Sequence, residues 1–192
     1  MNHIARLAGM SNFLDWRNRM MHAVWRQEES LSEEVLAWMS KTYDEFGEIS
    51  EDEFLELWTM RTFSMARSAF EVIQESVLDE TGKSVTGEEF CYVNYLRDPE
   101  FGPVGVVRFK SVEVSTPDWA EVLGVMAEGV QEFVMDYYAM VWPVCGRHAF
   151  GLHVDYLHET AVWKCNGGLA GGHVIRAIDP SIPTPQPRLS HG

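Results

Sequence analysis

From Ser50 to Val77 the chain runs without a proline or a glycine, and its apolar residues recur at the spacing of one helix face. Phe54, Leu57, Trp58, Met65, Phe70, Ile73 and Val77 make up that face, and Ser50-Glu-Asp-Glu53 opens it with a capping-box spacing. Two further helices are predicted ahead of it. The first is capped by Ser11 or Asn12 and turns Phe13, Trp16, Met20 and Val24 to one side, with Met21 and Trp25 beside them. The second opens at Ser30-Leu-Ser-Glu33, carries Leu31, Val35, Trp38, Met39 and Phe46 inward, and stops at Gly47. Three amphipathic helices with short joints predict a helical layer packed on itself or on a sheet.

After Asp79 the texture changes. Thr86-Gly-Glu-Glu89 repeats the capping-box spacing, while Phe90 to Leu96 is rich in strand formers. Of the two signals the capping spacing is preferred, so a short helix is expected there. Pro99, Gly102 and Pro103 predict a loop. Gly105 to Val114 alternates as a strand does, and the alternation slips at Lys110-Ser111, which predicts a bulge or a turn between two short strands. Thr116-Pro117-Asp118 combines a capping hydroxyl, a first-turn proline and an acid, so a long helix should run from 117 to about Met140, ended by Pro143. Short β segments should then form a meander up to Ile178. The expected fold is α+β, with a mainly helical body over 1–141, a Cys/His-rich β appendage over 142–179 and a proline-rich tail over 180–192. That tail should lie extended along the body or a neighbouring subunit.

Charge narrows the function classes. The net charge is −14, a surface that phosphate backbones repel, so direct nucleic-acid binding is not expected. Residues 1–27 oppose this trend, with Arg6, Arg17, Arg19 and Arg26 against Asp15 alone, which suggests a basic first helix docked on an acidic body. The start of the chain has no continuous apolar run of the signal-peptide kind. The most apolar long segment, Trp119 to Met140, is broken by Glu121, Glu128, Glu132 and Asp136, so no membrane span is expected. Cys91, Cys145 and Cys165 are too few and too scattered for a secreted disulfide scaffold. A reducing cytoplasm, or a particle built there, is the expected location.

Two motif-like stretches fail on inspection. Thr81-Gly-Lys-Ser84 resembles the end of a phosphate-binding loop, but Val77 stands where the first glycine belongs, so a capped surface turn is expected. Thr42 to Glu53 mimics the latter half of a calcium loop, yet Thr42 and Phe46 stand where oxygen ligands belong. Asp44 and Glu53 alone are too few for a hard cation, and a helix joint closed by a capping box accounts for the same residues.

The segment from Cys145 to His173 is where metal chemistry is expected. Cys145-Gly-Arg-His148 places two zinc-type ligands at the bite of one turn. Cys165 stands before a glycine turn and supplies a third ligand, with His173 the fourth and His158 in reserve. Thiolates and neutral imidazoles suit zinc, and four of them close a tetrahedral structural site. Cys165 and His173 are separated by seven residues, so the glycine-rich loop between them must fold back. Against this stands the plainer reading, in which the cysteines are small buried side chains and the histidines face solvent. A catalytic alternative exists too: His153 and Asp155 share a strand face and, with His148 and Cys165, can orient a metal or a general base. Cys145 or Cys165 with a nearby histidine is also a nucleophile candidate.

Trp142-Pro-Val-Cys145-Gly-Arg-His148 followed by Ala161-Val-Trp-Lys-Cys165 resembles the tail of uncharacterised actinobacterial and actinophage-type hypothetical proteins. The resemblance covers about a fifth of the chain. It implies a phage or actinobacterial origin and a helix followed by a small knuckle-like β element. It implies no activity, and His173 lies outside the pattern. Seven tryptophans and ten methionines add an apolar surplus of the kind found at interfaces. The leading expectation is therefore a non-catalytic interaction or assembly subunit, with a protein partner or self-association. The alternative is a metal-dependent enzyme or regulator centred on Cys145–His173.

Overall fold

The structure, a computed structural model, describes residues 3–24, 31–87, 90–94, 105–167 and 172–185. Three helices lead: α1 (His3–Val24), α2 (Glu33–Phe46) and α3 (Glu51–Thr81). Helix α1 begins well ahead of the cap expected at Ser11 or Asn12. The cap of α2 is Ser32, whose Oγ accepts from the Val35 N–H at 3.3 Å; Ser30 lies outside the described residues. Gly47 ends α2 with φ at 75°, its N–H bonded to the Tyr43 carbonyl at 2.8 Å. The capping box of α3 is reciprocal. Ser50 Oγ accepts from the Glu53 N–H, and the Glu53 carboxylate accepts from the Ser50 N–H at 2.9 Å. At the far end Gly82 caps in the left-handed region with φ at 68°, so Thr81-Gly-Lys-Ser84 is the surface turn its spacing predicted.

Helix α3 is about 46 Å long at 1.5 Å per residue, and it serves two separate cores. Its first turns put Phe54, Leu55 and Trp58 among Trp16 and Met20 of α1 and Val35 and Met39 of α2. Phe46 does not join them and is 57% exposed; Tyr43, one turn earlier, takes the ring contacts with Phe13 and Trp16. The later turns, from Ala66 to Val77, enter a second core shared with everything downstream. Trp58 links the two by donating its indole N–H to the Ser115 carbonyl at 2.7 Å. Glu34 does the same at the surface, accepting from Arg61 at 2.7 Å and from the Trp119 N–H at 3.1 Å.

Downstream come β1 (Phe90–Asn94), β2 (Gly105–Phe109) and β3 (Val112–Val114), an antiparallel sheet in that order. The short helix expected over Phe90–Leu96 is therefore a strand as far as Asn94. Its backbone pairs with β2 from Phe90↔Phe109 to Asn94↔Gly105, and a ladder of five pairs outweighs one capping signal worth about 1 kcal/mol. The slip at Lys110-Ser111 is a tight turn, with Lys110 at φ 55°. Phe109 is fully buried between Phe70 and Phe133, and it lies so close to Gly129 that an added Cβ there would meet its ring at 2.8 Å. The loop expected at Pro99, Gly102 and Pro103, like Trp25, lies outside the described residues.

Helix α4 (Trp119–Tyr138) is capped by Asp118, not by Thr116: its carboxylate accepts from the Glu121 N–H at 2.9 Å. Thr116 is buried ahead of the helix. The helix ends close to the expected Met140, at Ala139 with φ 51°. Beyond it, Val144 bridges to Gly151, and β4 (His153–Leu157), β5 (Thr160–Cys165) and β6 (His173–Ala177) form an antiparallel meander. Trp142, Cys145, Leu152, Trp163, Cys165 and Ile178 belong to the same buried cluster as α3 and α4, so the segment 142–179 shares its core with the helices. The chain past Pro180 begins by folding back, with Thr184 Oγ1 accepting from the Ala177 N–H at 3.2 Å; 186–192 lie outside the described residues. No described helix is long and apolar enough to cross a membrane.

Candidate metal centre

Two β turns bring the ligands together. The first is a narrow stem whose arms run from Trp142 and back to Leu152. Leu152 N–H donates to the Pro143 carbonyl at 2.9 Å, and Cys145 N–H to the Phe150 carbonyl at 2.8 Å. At its tip Ala149 N–H returns to the Cys145 carbonyl at 2.9 Å, and Ala149 takes φ 55°. This knuckle turns Cys145 and His148 the same way. The second turn is the β5–β6 hairpin, in which Cys165 and His173 are direct cross-strand partners. Opposite residues of an antiparallel ladder have Cβ atoms about 5 Å apart, so the seven-residue separation is no obstacle.

The result is one cluster. The ligand atoms of Cys145, His148, Cys165 and His173 all lie within 4.8 Å of one another, and the group can hold a metal ion. His148 Nδ1 lies 3.2 Å from Cys165 Sγ and 3.8 Å from Cys145 Sγ, while His173 Nε2 lies 3.8 Å from Cys145 Sγ. Both cysteines are buried and both histidines half-buried, their rings edge to face. Both thiols are free.

Electrostatics divide the two thiols. Burial alone would raise Cys145, but the N–H groups of Arg147 and His148, the Cys165 thiol and the Arg147 charge outweigh it and hold the group below its ordinary value. Cys165 goes the other way. Burial raises it, and a negative Cys145 opposes a second charge beside it, although the Gly167 N–H donates to its sulfur at 3.3 Å. Cys145 therefore gives up its proton more readily than Cys165.

Several residues without ligand atoms shape the cluster. A Cβ on Gly167 would meet the Phe150 ring at 2.7 Å and His148 Nδ1 at 3.0 Å, so a bare backbone there makes room for the imidazole. Gly172, next to His173, has φ 71°, a conformation that suits glycine. On α3, the Glu80 carboxylate accepts from the Trp142 indole at 2.9 Å and from the Arg176 guanidinium, joining the knuckle stem to β6. On α4, the Gln131 amide donates to the carbonyls of Trp142 and Leu152 at 3.1 and 2.8 Å. Glycines beside metal-type ligands are visible in the sequence, but nothing local marks Glu80 or Gln131.

The other expected residues lie elsewhere. His158 sits with Glu159 in the β4–β5 turn, both in the left-handed region, and is not one of the clustered ligands. His153 is exposed on β4, opposite Lys164. Asp155 is committed to Lys164 at 2.5 Å and to the Tyr156 N–H, contacts that hold its carboxyl below the usual range. The catalytic constellation of His148, His153, Asp155 and Cys165 is therefore not assembled among the described residues. Glu53 is occupied as a helix cap, which accounts for the calcium-like spacing without a cation. Comparison of the chain with protein-family models, with curated proteins and with solved structures finds no match in any of the three.

Proposed function

We propose that this chain is a non-catalytic interaction or assembly subunit whose C-terminal sheet is fastened by a structural zinc ion on Cys145, His148, Cys165 and His173. The convergence of these four ligand atoms carries the reading. With Zn–S near 2.3 Å and Zn–N near 2.0 Å, a tetrahedral angle separates sulfur from nitrogen by about 3.5 Å. Three of the four sulfur–nitrogen separations, 3.2, 3.8 and 3.8 Å, bracket that value. Two thiols and two imidazoles are donors that zinc accepts and hard cations do not. Four protein ligands fill a tetrahedron and leave no position for water or substrate, which is the mark of a structural centre.

The interaction half of the reading rests on apolar surface. The described tryptophans are all buried or half-buried, so the tryptophan surplus is absorbed by the two cores. What faces solvent instead is Val141, Val144 and Phe150 around the knuckle, with Met135 and Tyr137 at the end of α4. Such exposed apolar side chains gathered around one turn suit a protein partner.

The test is elemental analysis of protein purified without chelator or histidine tag, alongside Cys145→Ser, Cys165→Ser and Cys91→Ser. One zinc per chain, lost in the first two variants and kept in the third, is expected. Metal-free wild-type protein with equal small effects from all three would leave only buried cysteines. Native mass measurement on the same samples reads self-association.

A further inference from the structure

We propose that Gln131, which touches no ligand atom, sets the metal affinity of the centre by holding the base of the knuckle on α4. The inference rests on the zinc reading above and deepens it. A tetrahedral site built from two separate turns binds tightly only if the turns are held at the right spacing before the ion arrives. The Cys165–His173 pair is fixed by the β5–β6 ladder. The Cys145–His148 pair sits on a stem with a single bridge, Val144↔Gly151, and few hydrogen bonds of its own.

Gln131 supplies what that stem lacks. Its one amide nitrogen has two hydrogens, and each goes to a different arm: 3.1 Å to the Trp142 carbonyl and 2.8 Å to the Leu152 carbonyl. Those carbonyls lie at the base of the stem, three residues before Cys145 and four after His148. The helix side chain thus closes the stem as one more rung and fixes its distance from α4. The same α4 face, through Val130 and Val134, lies in the core that also holds Cys165 and Trp163. Both halves of the metal site are therefore referred to one helix, and Gln131 is the polar link between that helix and the less constrained half. A side chain of equal length without donors leaves both carbonyls unpaired and the stem free to shift.

Zinc affinity measured by competition with a chromophoric chelator, on the full chain, tests this with Gln131→Met, Gln131→Asn and Val35→Ala. Methionine keeps the length and helix preference but donates nothing. Asparagine keeps the amide but withdraws it by one methylene. Val35 is buried in the α1–α2–α3 core, away from the site, and its truncation lowers stability without touching the stem. Gln131→Met should weaken zinc binding by roughly 10- to 100-fold, the range found when outer-shell partners of metal ligands are removed. Gln131→Asn should fall between it and wild type, and it carries the test if the methionine variant does not fold. Val35→Ala should bind as wild type does while melting earlier. Wild-type affinity in the Gln131 variants, or equal weakening in Val35→Ala, would overturn the role of Gln131 alone. A wild-type chain that binds no zinc would remove the metal reading, and this inference with it.

Discussion

Gly167 shows how one residue decides whether the cluster forms. Its backbone is not in the left-handed region, so alanine is allowed there conformationally; the obstacle is the His148 imidazole and the Phe150 ring. Gly167→Ala should leave helix content unchanged and lower metal affinity, because His148 Nδ1 has to move to admit the methyl group. Unchanged affinity in chelator competition would show that the imidazole has room to spare. Tyr156 poses a different residue-scale question. Its hydroxyl lies over Gly124 of α4, and burial, followed by Glu128, Glu121 and Asp118, pushes its pKa up to about 12. A raised pKa means the folded state favours the neutral phenol. The stability this gives is complete below pH 10 and drains away as pH rises from 10 towards 12. In a spectrophotometric titration Tyr156 should ionise late, and Tyr156→Phe should remove that late step. Loss of an ordinary step near pH 10 instead would contradict the packing described.

Helix ends are the element-scale feature most open to reading from sequence, and they show where such reading slips. The Ser50–Glu53 box, the stop at Gly47 and the surface turn at Gly82 were legible because each is set within four residues. At α4 the Thr116 hydroxyl was the expected cap and Asp118 a first-turn acid, and the cap used is Asp118. Asp118→Ala should therefore cost about 1 kcal/mol in denaturant unfolding, the usual worth of an N-cap. No measurable loss would mean that Thr116 or water serves as the cap instead. Strand β1 was the opposite case. A capping spacing precedes it while its own residues are strand formers, and the choice belonged to β2, which offers five paired positions. Phe109 on β2 is buried against Phe70 and Phe133, so Phe109→Ala should destabilise the protein by about 3–5 kcal/mol. A loss below about 1 kcal/mol would mean that the sheet does not pack on α3 and α4 as described.

Across the whole molecule, two cores share α3, and only the second contains Cys145 and Cys165. Stripping the proposed zinc should therefore act unevenly. Hydrogen exchange should accelerate from Trp142 to Ala177 while amides of α1 and α2 keep their protection, and the melting temperature should fall. Uniform loss of protection would show that the two cores unfold as one unit. The sequence by itself determined the α+β class, the three leading helices and the Cys145–His148 pair, since each depends on contacts within a turn or two of chain. It also marked Cys165 and His173 by type, without their alignment. Only the tertiary structure decided that alignment, because strand register is a relation between segments. Only it set aside His153 and Asp155, which share a strand face but lie apart from the ligands. And only it brought Glu80 and Gln131 to the knuckle, across sequence separations of 62 residues to Trp142 and 21 to Leu152. A side chain's periodicity records which face it lies on, whereas its partner depends on how whole elements pack.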